Sequence, residues 1–288
     1  MKYKDYEYEY IYDQKVLGKE EREERIEGLR GKKYKEKVKT IMSGPILESE
    51  IYPVYERRID TPRADKKNAT EDAMKNYNDK MAMKQMVRII NTNFSKDDLY
   101  ITLTYPDKVL PTESQARKDM SNYIRRLKTA RKKLNLPELK YLYVIEFVSE
   151  EEAVYSRKVR IHHHLIINKM DRDLAEEIWK SAKPKARAES RRLQPDDFGL
   201  EGVARYLGKW KKGKKRWYAS RNLKKPKVNS SVTKLSKRKV EKIAREPDRW
   251  QGLFESMYKN KYTLLDVEVF YSEIVAGYYI RARMRQKE

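Results

Sequence analysis

RIHHHLII, residues 160–167, sets three consecutive histidines inside an apolar run, and the chain has no others. A short apolar run of this kind, bounded by charge, reads as a strand. Side chains alternate across a strand, so His162 and His164 share one face while His163 points away with Ile161 and Leu165. Two imidazoles on one face can reach a single metal ion. The run Tyr141 to Phe147 reads as the partner strand, joined by a polar loop, and Glu146 is its only charged group. A buried, unpaired carboxylate is costly, and a cation offsets that cost. His162, His164 and Glu146 therefore read as a two-histidine, one-carboxylate site with open positions, suited to a divalent ion. His163 reads as a residue that packs against a helix or bonds to the backbone.

Outward from this pair, Leu99, Ile101, Leu103 and Tyr105 alternate with Tyr100, Thr102 and Thr104, which predicts a strand closed by Pro106. Upstream, Met81, Met83, Met86, Ile89 and Ile90 recur at helical spacing, and Asn91 to Asn93 supply a stop. Thr112 and Gln115 form a capping-box pattern, after which Ala116, Met120, Tyr123, Leu127, Ala130 and Leu134 trace one apolar stripe. Asp171 caps a helix carrying Leu174, Ile178 and Trp179, and a Pro- and Arg-bearing loop leads to a helix around 200–210. Leu235, Val240 and Ile243 suggest another helix, and Tyr262 to Tyr271 alternates like a strand before Gly277. No internal repeat is visible. Strands mixed with helices, rather than strictly alternating with them, predict an α+β domain with a largely antiparallel sheet over 71–285. Residues 1–70 read as a charged accessory extension with little to bury.

Charge is unevenly placed along the 288 residues, whose net charge is +23. Residues 1–70 hold 17 basic and 15 acidic side chains, while the remainder holds 50 against 29. Within 202–240 there are 15 Lys and Arg and no Asp or Glu. A polyanion is the natural partner of such a segment. Trp210, Trp217 and Tyr218 lie among the cations, and that mixture suits stacking on unpaired bases as well as phosphate contact, so single-stranded nucleic acid is expected. The residues expected to bind it are Lys211, Lys212, Lys214, Lys215, Arg216, Trp217, Arg221, Lys224 and Lys225. Absence of cysteine excludes a disulfide scaffold or a thiolate-ligated metal. The charged start, MKYKDYEYEY, lacks a signal-peptide core, and no stretch approaches the roughly 20 apolar residues that span a bilayer. The expectation is a soluble, cytoplasmic protein without a membrane partner.

A metal beside DNA still needs a nucleophile, and 22 tyrosines make composition useless for choosing one. Context selects Tyr206, in EGVARYLGKW at the mouth of the acid-free segment, with Lys209 on a neighbouring position of the same helix face. A phenol ionises near pH 10, so it needs a cation, a base or a polarised substrate to attack phosphorus. From the residues alone, Tyr206 reads equally as a core aromatic beside Val203, Leu207 and Trp210.

Three segments together resemble the rolling-circle replication initiators of plasmids and phages, within the HUH endonuclease superfamily. They are LYITLTY (99–105), IHHHLII (161–167) and ARYLGKW (204–210), in that order; RIINTNF (88–94) and SRNLKKP (220–226) are similar to replication-associated proteins of Gram-positive plasmids, phages and integrated elements. The resemblance covers about residues 75 to 285. It implies that His162, His164 and Glu146 hold Mg²⁺ or Mn²⁺, and that Tyr206 nicks one strand of origin DNA to give a 5′-phosphotyrosine and a 3′-OH. That 3′-OH primes synthesis, and the reverse step rejoins the strand. Lys209 stands in the lysine position of the tyrosine motif. The implied fold is ferredoxin-like and RRM-like, a central five-stranded antiparallel sheet flanked by helices. His163 departs from the usual bulky hydrophobe, and Trp210 replaces the second tyrosine of some members, which implies a single-nucleophile cycle. No GxxxxGK[ST] phosphate loop is present, so a host helicase and polymerase are the implied partners.

Other readings use the same features. A DNA-binding protein of this fold without the chemistry would carry the same charge and aromatics. A relaxase or single-strand transposase would share the chemistry. Two histidines and a carboxylate also describe a non-haem iron site, but the basic segment asks for a polyanion rather than an organic cosubstrate.

Overall fold

A computed structural model describes residues 3–4, 20, 23, 26–27, 34–56, 71–106, 109, 111–146, 161–208, 217–232, 234–272 and 277–287. The strands are β1 (Tyr3–Lys4), β2 (Tyr34–Ser43), β3 (Ile46–Glu56), β4 (Leu99–Thr104), β5 (Tyr141–Glu146), β6 (His162–Ile167), β7 (Arg187–Arg192), β8 (Tyr218–Ala219), β9 (Lys227–Ser231), β10 (Tyr262–Ser272) and β11 (Gly277–Gln286). The α-helices are α1 (Glu71–Asn93), α2 (Glu113–Lys133), α3 (Arg172–Lys180), α4 (Glu201–Gly208), α5 (Lys237–Arg245) and α6 (Trp250–Met257). The chain divides into two compact units, Gln85–Lys225 and Met1–Lys84 with Pro226–Glu288. No helix among the described residues is long and apolar enough to cross a membrane.

The unit Gln85–Lys225 is built on a five-stranded antiparallel sheet ordered β7-β4-β6-β5-β8. The path β4-α2-β5-β6-α3-β7 with strand order 4-1-3-2 within it is the ferredoxin-like arrangement, to which β8 adds a fifth strand. The antiparallel α+β expectation therefore holds. Alternation decides the two faces. Leu99, Ile101, Leu103, Leu165, Ile167, Tyr143 and Ala188 all point to one side, where Met120, Tyr123, Leu127 and Trp179 of α2 and α3 bury them. The Thr112 hydroxyl accepts the Gln115 N–H at the start of α2, and the Asp171 carboxylate accepts Leu174 N–H at the start of α3, as their positions predict. Arg131 at the end of α2 is buried, yet its guanidinium donates to the carbonyls of Pro137, Asn168 and Lys169, which offsets its desolvation. With both helices on one side, the other side of the sheet is left for a site.

Strand β7 lies where a Pro- and Arg-bearing loop was expected. RAESRR buries only Ala188 and Ser190, so as the edge strand it carries almost no apolar signal of its own.

The other unit contains a second antiparallel sheet, ordered β10-β11-β3-β2-β9 with β1 on β3. Val38, Leu47, Ile51, Ile280, Ala282 and Met284 bury one face under Val240 and Ile243 of α5 and Phe254 of α6. Its opposite face is charged but paired: Lys39 meets Glu50 at 3.2 Å, Arg281 meets Glu48 at 2.7 Å, and Arg283 meets Asp266. The compact units therefore do not follow the division at residue 70 that composition suggested. Residues 34–56 form a buried hairpin, because cross-strand pairing absorbs charges that looked like solvated surface.

Candidate functional site

The site side of the five-stranded sheet is ordered by register. Glu146 stands opposite His162, and His162 opposite Thr104; two steps along, Val144 stands opposite His164, and His164 opposite Thr102. The parity expected from sequence is thus present: His162, His164 and Glu146 lie on one face, and His163 on the other.

His164 and Glu146 are both buried, and Nε2 of the imidazole lies 3.0 Å from Oε2 of the carboxylate across the strand diagonal. On the other edge of the ring, Nδ1 lies 2.8 Å from the Tyr100 hydroxyl and 3.2 Å from that of Thr102. A carboxylate only accepts, so the ring proton facing it sits on Nε2, and Nδ1 accepts from the hydroxyls. Burial pushes the Tyr100 phenol well above its ordinary range, so this hydroxyl stays protonated. The ring of His162 stacks parallel to that of His164 with centroids 6.2 Å apart, and its buried Nδ1 has no protein partner among the described residues. The structure brings His164 and Glu146 together and leaves His162 beside the pair; no three His, Asp or Glu side chains among the described residues are grouped as a ready metal cage.

The donor set nevertheless fits a hard divalent ion. A nitrogen and an oxygen 3.0 Å apart have the separation of two adjacent ligands of a six-coordinate ion with bonds of about 2.1 Å. The orphaned nitrogen of His162 is a third donor on the same face.

Tyr206 projects from α4 onto this face. Its ring stands edge-on to His164, with centroids 5.5 Å apart, and edge-on to Tyr100 at 6.2 Å. It is 45% exposed, while Ala204 and Leu207 on the same helix are buried. Of the two readings open from sequence, core aromatic and accessible phenol, the structure has the accessible phenol. Lys209 and Trp210 lie outside the described residues, as do Lys211, Lys212, Lys214, Lys215 and Arg216.

Trp217 is half-buried at the start of β8, Arg221 and Lys224 flank it in the turn that follows, and Lys225 is exposed. Tyr218, read with Trp217 as a base-stacking aromatic, is instead used in packing. Its ring stacks on Tyr143 at 4.8 Å and lies under the Arg117 guanidinium.

His163 is fully buried, with its ring 5.6 Å from those of Tyr105 and Trp179. The Tyr105 hydroxyl donates to Asp119 at 3.1 Å, so it accepts from Nε2–H of His163 at 2.9 Å. Burial pushes the His163 imidazolium down to about 3, which keeps the ring neutral. It packs against a helix as expected, but its partner is a side chain rather than the backbone.

Two asparagines have positioning roles that the sequence reading missed. Asn91 Oδ1 accepts the buried Leu200 N–H at 2.7 Å, which fixes the entry to α4. Asn93 bonds both the N–H and the carbonyl of Lys224, at 2.8 Å each. RIINTNF therefore clasps the helix of Tyr206 and SRNLKKP through side-chain amides. The signal was present in sequence only as three polar residues at the end of an amphipathic helix.

Residues 98–239, which carry His162, His164, Glu146 and Tyr206, match the model of a family of replication-associated proteins, the ORF2 type. No curated protein and no solved structure matches the chain.

Proposed function

We propose that this chain is a rolling-circle replication initiator, a divalent-metal-dependent endonuclease and strand transferase that nicks and rejoins one DNA strand at an origin. The observation that carries the reading is the accessible Tyr206 phenol edge-on to His164, which is paired with Glu146 on the open face of the sheet. In the reaction, the Tyr206 oxygen attacks phosphorus, the bond from phosphorus to the 3′ oxygen breaks, and a 5′-phosphotyrosine forms. The proton lost by the phenol is balanced by the one gained by the departing 3′-OH. Attack by that hydroxyl on the phosphotyrosine reverses both bond changes and reseals the strand. His164, Glu146 and His162 would hold Mg²⁺ or Mn²⁺, and such an ion supplies charge neutralisation at the phosphate when bound. Tyr100 and Thr102 fix the orientation of His164. The basic segment 202–240, with Lys209, Lys211, Lys212, Lys214, Lys215, Arg216, Trp217, Arg221, Lys224 and Lys225, would bind the single strand, while a host helicase and polymerase extend the 3′ end. The match to replication-associated proteins favours initiation over conjugative mobilisation or transposition.

The test incubates the protein with Mn²⁺ and single-stranded oligonucleotides tiling the flanks of its own gene. A denaturation-resistant adduct on the peptide containing Tyr206, lost in Tyr206→Phe, is the expected result. Binding without an adduct on any tile would favour a DNA-binding protein that lacks the chemistry.

A further inference from the structure

The rows that hold the site do not stop at β4. Arg187 of β7 stands opposite Thr104, which stands opposite His162, which stands opposite Glu146; four residues further along β7, Arg191 stands opposite Tyr100. Ala188, between the two arginines in sequence, is buried in the core on the far side, so alternation places Arg187 and Arg191 on the site face. The Arg191 guanidinium agrees with this, stacking over the Tyr100 ring at 4.9 Å from its centroid, and Tyr100 bonds His164. Both arginines are exposed, and neither forms an ion pair with a carboxylate among the described residues. Glu189, also exposed on this face, lies between them and pairs with neither.

Strand spacing puts Arg187 about 10 Å from the His162 backbone, and the two arginines about 13 Å apart along β7. They are too far apart to share one phosphate and close enough to meet different phosphates of one strand. A guanidinium is the side chain best shaped for phosphate, presenting a bidentate fork without a titration near neutral pH. We propose that Arg187 and Arg191 form a backbone-phosphate track on the β7 edge of the sheet, guiding the single strand across the site face toward Tyr206. This deepens the nicking reading, on which its placement beside the reacting phosphate rests. It differs from the basic segment in being rigid: a sheet edge held by the β4 ladder, with one arginine already stacked in place.

The test measures fluorescence anisotropy of a labelled single-stranded oligonucleotide with the full chain carrying Tyr206→Phe, in EDTA, across a salt series. Arg187→Ala and Arg191→Ala should each weaken binding roughly five-fold at low salt and lower the salt slope by about 0.7, the value for one phosphate on a single strand. Glu189→Gln should strengthen binding, because it removes the one anion of the edge. Arg126→Ala, exposed on α2 and on the far side of the sheet, serves as the control. Arg187 is exposed at the sheet edge, so its variant separates binding from folding, with thermal melts run alongside. If Arg187→Ala, Arg191→Ala and Glu189→Gln all follow the control, the track is overturned, whatever the adduct assay gives. If affinities shift as expected but the wild-type chain forms no adduct, the track stands and the nicking reading fails.

Discussion

The Tyr100 hydroxyl lies 2.8 Å from Nδ1 of His164, on the edge of the imidazole opposite Glu146. A hydroxyl both donates and accepts, so it can serve either tautomer of the ring: donating to Nδ1 while Nε2–H faces the carboxylate, or accepting from Nδ1–H when Nε2 ligates a metal. Tyr100→Phe removes that partner and leaves Thr102 at 3.2 Å. The expected outcome is a roughly ten-fold loss in adduct formation and a higher Mn²⁺ requirement, with unchanged affinity for single-stranded DNA. Single-turnover nicking over a Mn²⁺ titration measures both. An unchanged Mn²⁺ dependence would leave Thr102 as the partner that orients the ring.

Tyr206→Phe separates chemistry from stability. The phenol is 45% exposed, and its hydroxyl has no hydrogen bond among the described residues. Losing it should alter stability by less than about 0.5 kcal/mol, as for an ordinary surface change. Urea unfolding should therefore superimpose on wild type while the adduct disappears. A large loss of stability would mean that the hydroxyl is structural.

His163 is expected to behave in the opposite way to its neighbours. Its ring fills space against Tyr105 and Trp179 and gives Nε2–H to the Tyr105 hydroxyl. His163→Ala opens a cavity and removes a buried hydrogen bond, at a cost of about 2–4 kcal/mol. The nicking rate per folded molecule should stay near wild type, because the side chain lies across the sheet from Tyr206. Denaturant titration combined with an active-site count distinguishes lost molecules from slowed ones.

How much of this is legible in sequence follows from where the signals are local. The strands of His162 and Glu146 announce themselves by alternation, and parity alone puts His162, His164 and Glu146 on one face. The α2 stripe and its Thr112 cap are equally local. Strand β7 is not, because RAESRR reveals itself only through its pairing with β4. The hairpin β2–β3 is hidden for a related reason: Lys39, Glu48 and Glu50 look like solvated charge until partners from distant strands are known. Arg187 and Arg191 are lost with β7. Asn91 reads as a helix stop because its partner, Leu200, lies 109 residues away.

The hairpin also sets a pH dependence. Burial pushes the Glu36 carboxyl up to about 7, with Lys237 partly opposing that shift. The folded state therefore holds this proton more tightly than the unfolded chain, whose glutamate titrates near 4.5. Stability tied to Glu36 is fully present below pH 4.5 and is lost as pH rises to about 7, by on the order of 3 kcal/mol. Glu36→Gln should raise stability at pH 8 and flatten the change between pH 5 and 8, as read by melting temperature across that range. Parallel pH curves for the two proteins would show that the carboxylate is solvated in the folded state.

Gly199 tests whether the entry to α4 positions the nucleophile. Its φ of +73° lies in the left-handed region, and a Cβ there would meet Asn91 Oδ1 at 2.7 Å and Cγ at 3.1 Å. That oxygen is the acceptor of the buried Leu200 N–H, so the clash falls on the bond that anchors the helix. Gly199→Ala thus adds backbone strain of about 1–2 kcal/mol and pushes the anchor aside. The helix begins two residues later and carries Tyr206, so its displacement reaches the phenol. Misplacement of a reacting group by about 1 Å costs roughly a hundred-fold in rate, so nicking should fall by much more than the modest loss of stability explains. Gly202→Ala is the matched control, since its Cβ would meet nothing nearer than Asp196 Oδ2 at 3.9 Å. Single-turnover nicking of the two variants, normalised to the folded fraction, decides the point: equal rates would mean that the hold on α4 does not set the position of Tyr206.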